Sequence, residues 1–105
     1  MERIYGMKRL FVSQPMNGKT NEEILQERTV AVEKAKVILD DDVELIDSYI
    51  EEDAPEGYNP GLWYLAKSIE LLAKADVVYF AKGWSKARGC IVEHECATRY
   101  GIKCI

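Results

Sequence analysis

The feature that most constrains this chain is an alternation: four short apolar runs, separated by three segments with helical periodicity. The runs lie at 8–13, 43–47, 76–81 and 102–105, each short enough to be a strand and too short to be a stable helix. Between them, 20–39, 60–73 and 89–100 repeat apolar residues at intervals of three and four. Strands that alternate with helices return in parallel through right-handed crossovers, and a parallel sheet must be covered on both faces. A three-layer α/β domain with four parallel strands and helices on both faces is the expected result.

Local signals sharpen the boundaries. Pro15 ends the first strand and Asn17-Gly18 marks a turn. Thr20-Asn21-Glu22-Glu23 then reads as a capping box that opens a helix running to about Leu39. Its expected buried stripe is Ile24, Ala31, Ala35 and Ile38, with Leu25, Val32 and Leu39 beside it. Arg28 falls on that stripe, either as a stem whose head reaches water or as an inward guanidinium near the first loop, pairing with an acid or a substrate phosphate. Asp40-Asp41-Asp42 opposes the helix dipole and reads as a stop. The loop 48–59 is acidic, holds Pro55 and Gly57, and is long for a connection. Asn59-Pro60 then caps a helix whose apolar positions are Leu62, Leu65, Ala66, Ile69, Leu72 and Ala73.

Composition narrows the function. At 105 residues, with 48% hydrophobic and 30% charged content, the chain is expected to be one globular domain, 1–105. A net charge of -4 argues against a duplex nucleic-acid partner, while leaving room for a local basic pocket that takes a small anion. Three cysteines without a CxxC pair suggest free thiols and a cytoplasmic setting. Residues 1–6 read as a tail without an apolar signal segment, and no apolar run approaches the roughly 20 residues that span a bilayer.

The chemistry is expected at 83–97, where a Gly-bearing loop follows the third strand and leads into a helix. Open α/β sheets build ligand sites at the carboxyl ends of their strands. Glu93, near the start of that helix, is the candidate nucleophile, favoured in ionised form by free amides and the helix dipole. Val92, Cys96 and Tyr100 are expected to form the buried stripe with Glu93 at its margin, Gly89 to leave room for a ligand, and Ala97 to leave space beside the carboxylate.

Other patterns read more plainly. Gly18-Lys19-Thr20 resembles the tail of a P-loop, but Ser13 stands where that motif needs glycine, so a turn and a helix cap account for it. Cys90 and His94 lie one turn apart without the further ligands a zinc site needs, so no metal or other cofactor is expected and His94 is read as solvent-facing. Trp63, Tyr64 and Trp84 flank the expected crevice, as packing residues or as a surface on which a base stacks.

On three motifs the chain resembles the nucleoside 2-deoxyribosyltransferase-like superfamily, most closely its small, phage- and bacterium-associated DUF4406-type branch. These are Phe11 to Thr20, then Asp76 with its strand, and then Gly83-Trp84 through Arg88-Gly89-Cys90 to Glu93 and Ala97. The resemblance covers nearly the whole chain and implies a flavodoxin- or Rossmann-like sheet of order 2-1-3-4. It also implies cleavage or exchange of the N-glycosidic bond of a nucleoside or nucleotide, with Glu93 attacking the anomeric carbon. Gly89, Glu93 and Ala97 match the family's G-x-x-x-E-x-x-x-A pattern. Ser13, Gln14, Pro15 and Met16 would line the sugar or base pocket, with Gly83, Trp84 and Arg28 close by.

Relatives place Asp or Ser six residues before the glutamate. Here that residue is Ala87, and Ser85 or Arg88 would have to substitute. For the acid that protonates the leaving base, Asp47 at a strand end is preferred to Asp76 at a strand start. A homo-oligomer is implied, because a neighbouring subunit often completes the site in relatives. Two alternatives remain: a catalytically silent nucleotide-binding or sensing module on the same fold, and an interaction domain that uses the aromatic-rich segment 58–64.

Overall fold

The computed structural model describes residues 7–105, so the tail expected at 1–6 lies outside the described residues. The order is β1 (Lys8–Ser13), α1 (Asn21–Leu39), β2 (Val43–Leu45), α2 (Pro60–Leu72), β3 (Val77–Phe80), a 3-10 turn (Trp84–Lys86), α3 (Arg88–Arg99) and β4 (Lys103–Cys104). All strand pairs are parallel, as expected from the alternation, and the sheet order is β2-β1-β3-β4, as the family resemblance implied. β1 is central, aligning Leu10 with both Leu45 and Val77, and Ser13 with Phe80.

Alternation along β1 sorts its side chains between two cores. Leu10 and Val12 pack with Ala31 and Ala35 of α1, with Val43 and Val77 beneath. Phe11 packs on the other face with Leu72 of α2, Val78 and Ala97 of α3. Helices therefore cover both faces, giving three layers, and Ser13 and Gln14 at the end of the strand inherit opposite sides.

The helix ends follow their chemistry. Thr20 caps α1 through the Glu23 amide while the Glu23 carboxylate accepts from the Thr20 N–H, completing the capping box. Asp40 ends α1 in the left-handed region, with φ of 50°, its N–H bonded to the carbonyls of Lys36 and Val37. Asn59 caps α2 by accepting from the Leu62 amide, with Pro60 at the first helical position.

Several expected positions shift. β2 stops at Leu45, because the chain makes one more bond to β1, from the Ile46 N–H to the Leu10 carbonyl, and then turns away. In α1 the inner line is Ile24, Arg28, Ala31 and Ala35, while Leu25 is exposed and Ile38 is 57% exposed. Leu39 takes the inward place in the last turn. In α3 the expected stripe is rotated by about one residue: Cys90, Glu93 and Ala97 point inward, whereas Val92 is exposed and Tyr100 is 84% exposed. A glutamate on the sheet side is what misleads a reading that assigns charge to solvent.

Candidate functional site

β1 and α3 meet at the carboxyl edge of the sheet. Ser13, the last residue of β1, faces the α2/α3 layer and donates its hydroxyl to Glu93 Oε1 at 2.6 Å, a short charge-assisted geometry. Glu93 is 7% exposed and Ser13 is buried. Burial, the larger effect, raises the Glu93 carboxyl above its ordinary value, and the Ser13 bond partly offsets it. The shift is opposite in direction to the one expected from the helix terminus. Glu93 is the sixth residue of α3, past the four free amides where the dipole acts.

Glu93 stands on the wall of a cavity of about 640 Å³. Gln14, Pro15 and Met16 line it from the first loop, Tyr64 and Leu65 from α2, and Arg88 and Gly89 from the start of α3. No atom lies within 4 Å of where a Cβ would stand on Gly89, so that side of the helix is open. Ala97 makes no such space: it is fully buried against Phe11, Leu72 and Val78, its smallness serving helix-to-sheet approach. Ala87 is the N-cap of α3 and lines the cavity, but supplies no side-chain cap. An Asp or Ser there would be a capping residue by type, so its replacement leaves the first amides of α3 without a side-chain acceptor.

Gln14 faces the opposite layer. Its Oε1 accepts from Arg28 Nε at 2.7 Å, and its Nε2 donates to the Ile24 carbonyl at 3.2 Å and to Glu27 Oε1 at 3.0 Å. Lys19 binds the same Glu27 at 2.8 Å, so a chain of four polar side chains ties the first loop to α1. Arg28 is 3% exposed, which settles its two readings in favour of the inward one. It lies behind Gln14 and does not line the cavity. Desolvation lowers its pKa, opposed by the charge of Asp47 and by Tyr49. Its Nη2 is buried without a hydrogen-bond partner.

The remaining expected residues divide. Gly83, with φ of 87°, lets the chain turn from β3 into the 3-10 segment and lines an adjoining cavity with Pro15 and Met16. Trp84 and Ser85 line neither cavity. Trp84 instead stacks on His94 at 4.3 Å, with Phe80 edge-on to the imidazole, so His94 is half-buried among aromatic rings and not solvent-facing. Asp47 is exposed, accepts from the Tyr49 amide at 3.2 Å and does not line the cavity. Asp76 sits at the other edge, accepting from the Arg9 N–H at 2.7 Å.

Four cavity residues with polar or thiol side chains had no assigned role in the sequence: Ser48, Ser68, Lys86 and Cys90. Only Cys90 had a legible signal, one turn before His94 and three residues before Glu93. Burial raises its thiol pKa, the Ser13 hydroxyl lowers it, and the Glu93 charge adds to the rise. All three cysteines are free. Among the described residues there is no cluster of three or more His, Cys, Asp or Glu side chains able to hold a metal, and no helix long and apolar enough to cross a membrane.

The order of strands, the helices on both faces and a crevice beyond the strand ends define a small Rossmann-like α/β protein with a cavity at its sheet edge. Residues 8–105 match the family described as Domain of unknown function (DUF4406), and the chain belongs to that family. Comparison with curated proteins and with solved structures gave no match.

Proposed function

We propose that this protein cleaves or exchanges the N-glycosidic bond of a nucleoside or nucleotide, with Glu93 as the nucleophile. The observation that carries the reading is a buried carboxylate, aligned by the Ser13 hydroxyl, on the wall of a cavity large enough for a nucleotide. The resemblance to the nucleoside 2-deoxyribosyltransferase-like superfamily supplies the reaction type. A Glu93 oxygen attacks the anomeric carbon, the bond to the base breaks with its electron pair leaving on the base nitrogen, and a glycosyl-enzyme ester forms. Water or a second base then displaces the ester and restores the carboxylate.

Ser13 holds one carboxylate oxygen, which leaves the other for the attack. Apart from Glu93, no Asp or Glu side chain among the described residues lines the cavity. In this reading Asp47 is therefore not the acid in the state described, and the departing base takes its proton from solvent or from a neighbouring subunit. The second route would need the homo-oligomer that the resemblance implies, and the three free thiols suit a reducing, cytoplasmic setting.

A silent binding or sensing module is the second reading, favoured by the raised pKa of Glu93 and the missing side chain at Ala87. Incubation with ribo- and deoxyribonucleosides and their phosphates, with and without acceptor bases, tests both when free base or exchanged nucleoside is followed by chromatography. Base release that disappears in Glu93→Gln is expected. Turnover that survives Glu93→Gln sinks the nucleophile, and thermal stabilisation by a ligand without turnover selects the sensor.

A further inference from the structure

A second cavity, of about 340 Å³, adjoins the Glu93 cavity and shares Pro15, Met16, Asn17, Lys86 and Ala87 with it. Its other lining residues are Lys19, Lys82 and Gly83. Three lysines and no carboxylate therefore surround it, in a chain with 18 acidic against 14 basic residues. This sorting of charge decides the sign of the ligand. The groove beside α1 shares Lys19 and Lys82 with this cavity but adds Glu23 and Glu27, so the stretch free of carboxylates is the side toward Lys86.

Lys19 is already held by Glu27. The side chains of Lys82, Lys86 and Arg88 have no hydrogen-bond or ion-pair partner among the described residues. Arg88 lies across the start of α2, one guanidinium nitrogen 2.7 Å from where a Cβ on Gly61 would stand, so a side chain at that position would displace the guanidinium. Arg88 and Lys86 line the first cavity, Lys86 and Lys82 the second. The three cations thus form a track leading out of the Glu93 cavity, and Lys86 is its shared point. A single phosphate needs one or two of them, whereas a chain of phosphates engages all three.

The geometry points to a nucleotide bearing a chain of two or more phosphates as the ligand, the chain running past Lys86 toward Lys82. The position of the sugar rests on the proposed role of Glu93; the track rests on the cations alone. A nucleoside polyphosphate and a dinucleotide joined through pyrophosphate share this chemistry.

Titration calorimetry at low ionic strength with orthophosphate, pyrophosphate and tripolyphosphate tests the track directly. Pyrophosphate and tripolyphosphate should bind about tenfold tighter than orthophosphate, and added salt should erode the difference. The double variant Lys82→Gln/Lys86→Gln should abolish the preference. The double variant Lys8→Gln/Lys103→Gln, which removes equal charge at the opposite sheet edge, should keep it, with thermal unfolding confirming that both variants fold. Equal binding of orthophosphate and pyrophosphate, or equal loss in both double variants, overturns the proposal.

Nucleoside mono-, di- and triphosphates and a symmetric dinucleoside pyrophosphate then separate the two sources, by which binds tightest. Monophosphates binding as tightly as all of these also overturns it. Base release without a pyrophosphate preference defeats the track and leaves the Glu93 reading standing. A pyrophosphate preference without base release from any nucleotide does the reverse.

Discussion

Two buried ionisable groups lie at the same sheet edge, on opposite sides of β1, and they are held differently. Glu93 comes from α3 to meet Ser13 and faces a cavity; Arg28 comes from α1 to meet Gln14 and is walled off from that cavity. Both are desolvated, and in both cases burial shifts the pKa toward the neutral form. The difference is in what surrounds them. Arg28 belongs to a network that anchors the first loop through Gln14, Glu27 and Lys19, whereas Glu93 has one hydroxyl partner and open space beside it. A charge enclosed by its network serves structure, and one left open to a cavity is available to a substrate.

Substitution of Glu93 tests this most severely. Glu93→Gln should lower base release at least about a thousandfold by removing the nucleophile. It should also leave the fold as stable at neutral pH, or more so. Because the folded carboxyl titrates above its ordinary value, its contribution to stability is present at low pH and is lost as pH rises through the folded pKa. The stability advantage of Glu93→Gln should therefore be largest at neutral pH and fade as pH falls toward the ordinary glutamate value. Denaturant titrations at several pH values check this, and a variant destabilised at neutral pH would erase the distinction from Arg28.

Arg28→Ala should do the opposite, costing on the order of 3 kcal/mol through a cavity and an orphaned Gln14 carbonyl. Urea unfolding measures it, and Arg28→Lys, which keeps a donor but not the planar geometry, should recover only part. Ser13→Ala should cost about 1 kcal/mol and move the acid limb of the activity profile to higher pH, since the bond it removes is the one that lowers the Glu93 pKa. Glu27→Gln should have the smallest effect, a few tenths of a kcal/mol from a half-exposed pair, with the acid limb unmoved. A shifted limb in Glu27→Gln would show that the two sides of β1 are coupled.

Strand and helix alternation, the capping box of α1, the Asn59 cap and the Asp40 stop were legible because they depend on local pattern, whereas the sheet order was legible through the family resemblance. Glu93 and Ser13 were legible through motif resemblance, though without the reason for their pairing. The orientation of α3 was not. Its apolar Val92 and Tyr100 face outward and its glutamate inward, a reversal of the usual amphipathic rule at a candidate site. The separation of Trp84 and Ser85 from the cavity was equally hidden, since a 3-10 turn decides which side chains of a short loop point inward.

By itself the sequence determined the class of fold and the ends of its helices, because period, caps and turn residues act within a few positions. Tertiary structure decided which neighbour each end residue of β1 would meet. Adjacent residues of a strand point to opposite layers, so Ser13 receives a carboxylate from α3 and Gln14 a guanidinium from α1, separated from them by 80 and 14 residues of chain. Burial by those layers raises the Glu93 pKa, against the lowering that the helix terminus alone would favour.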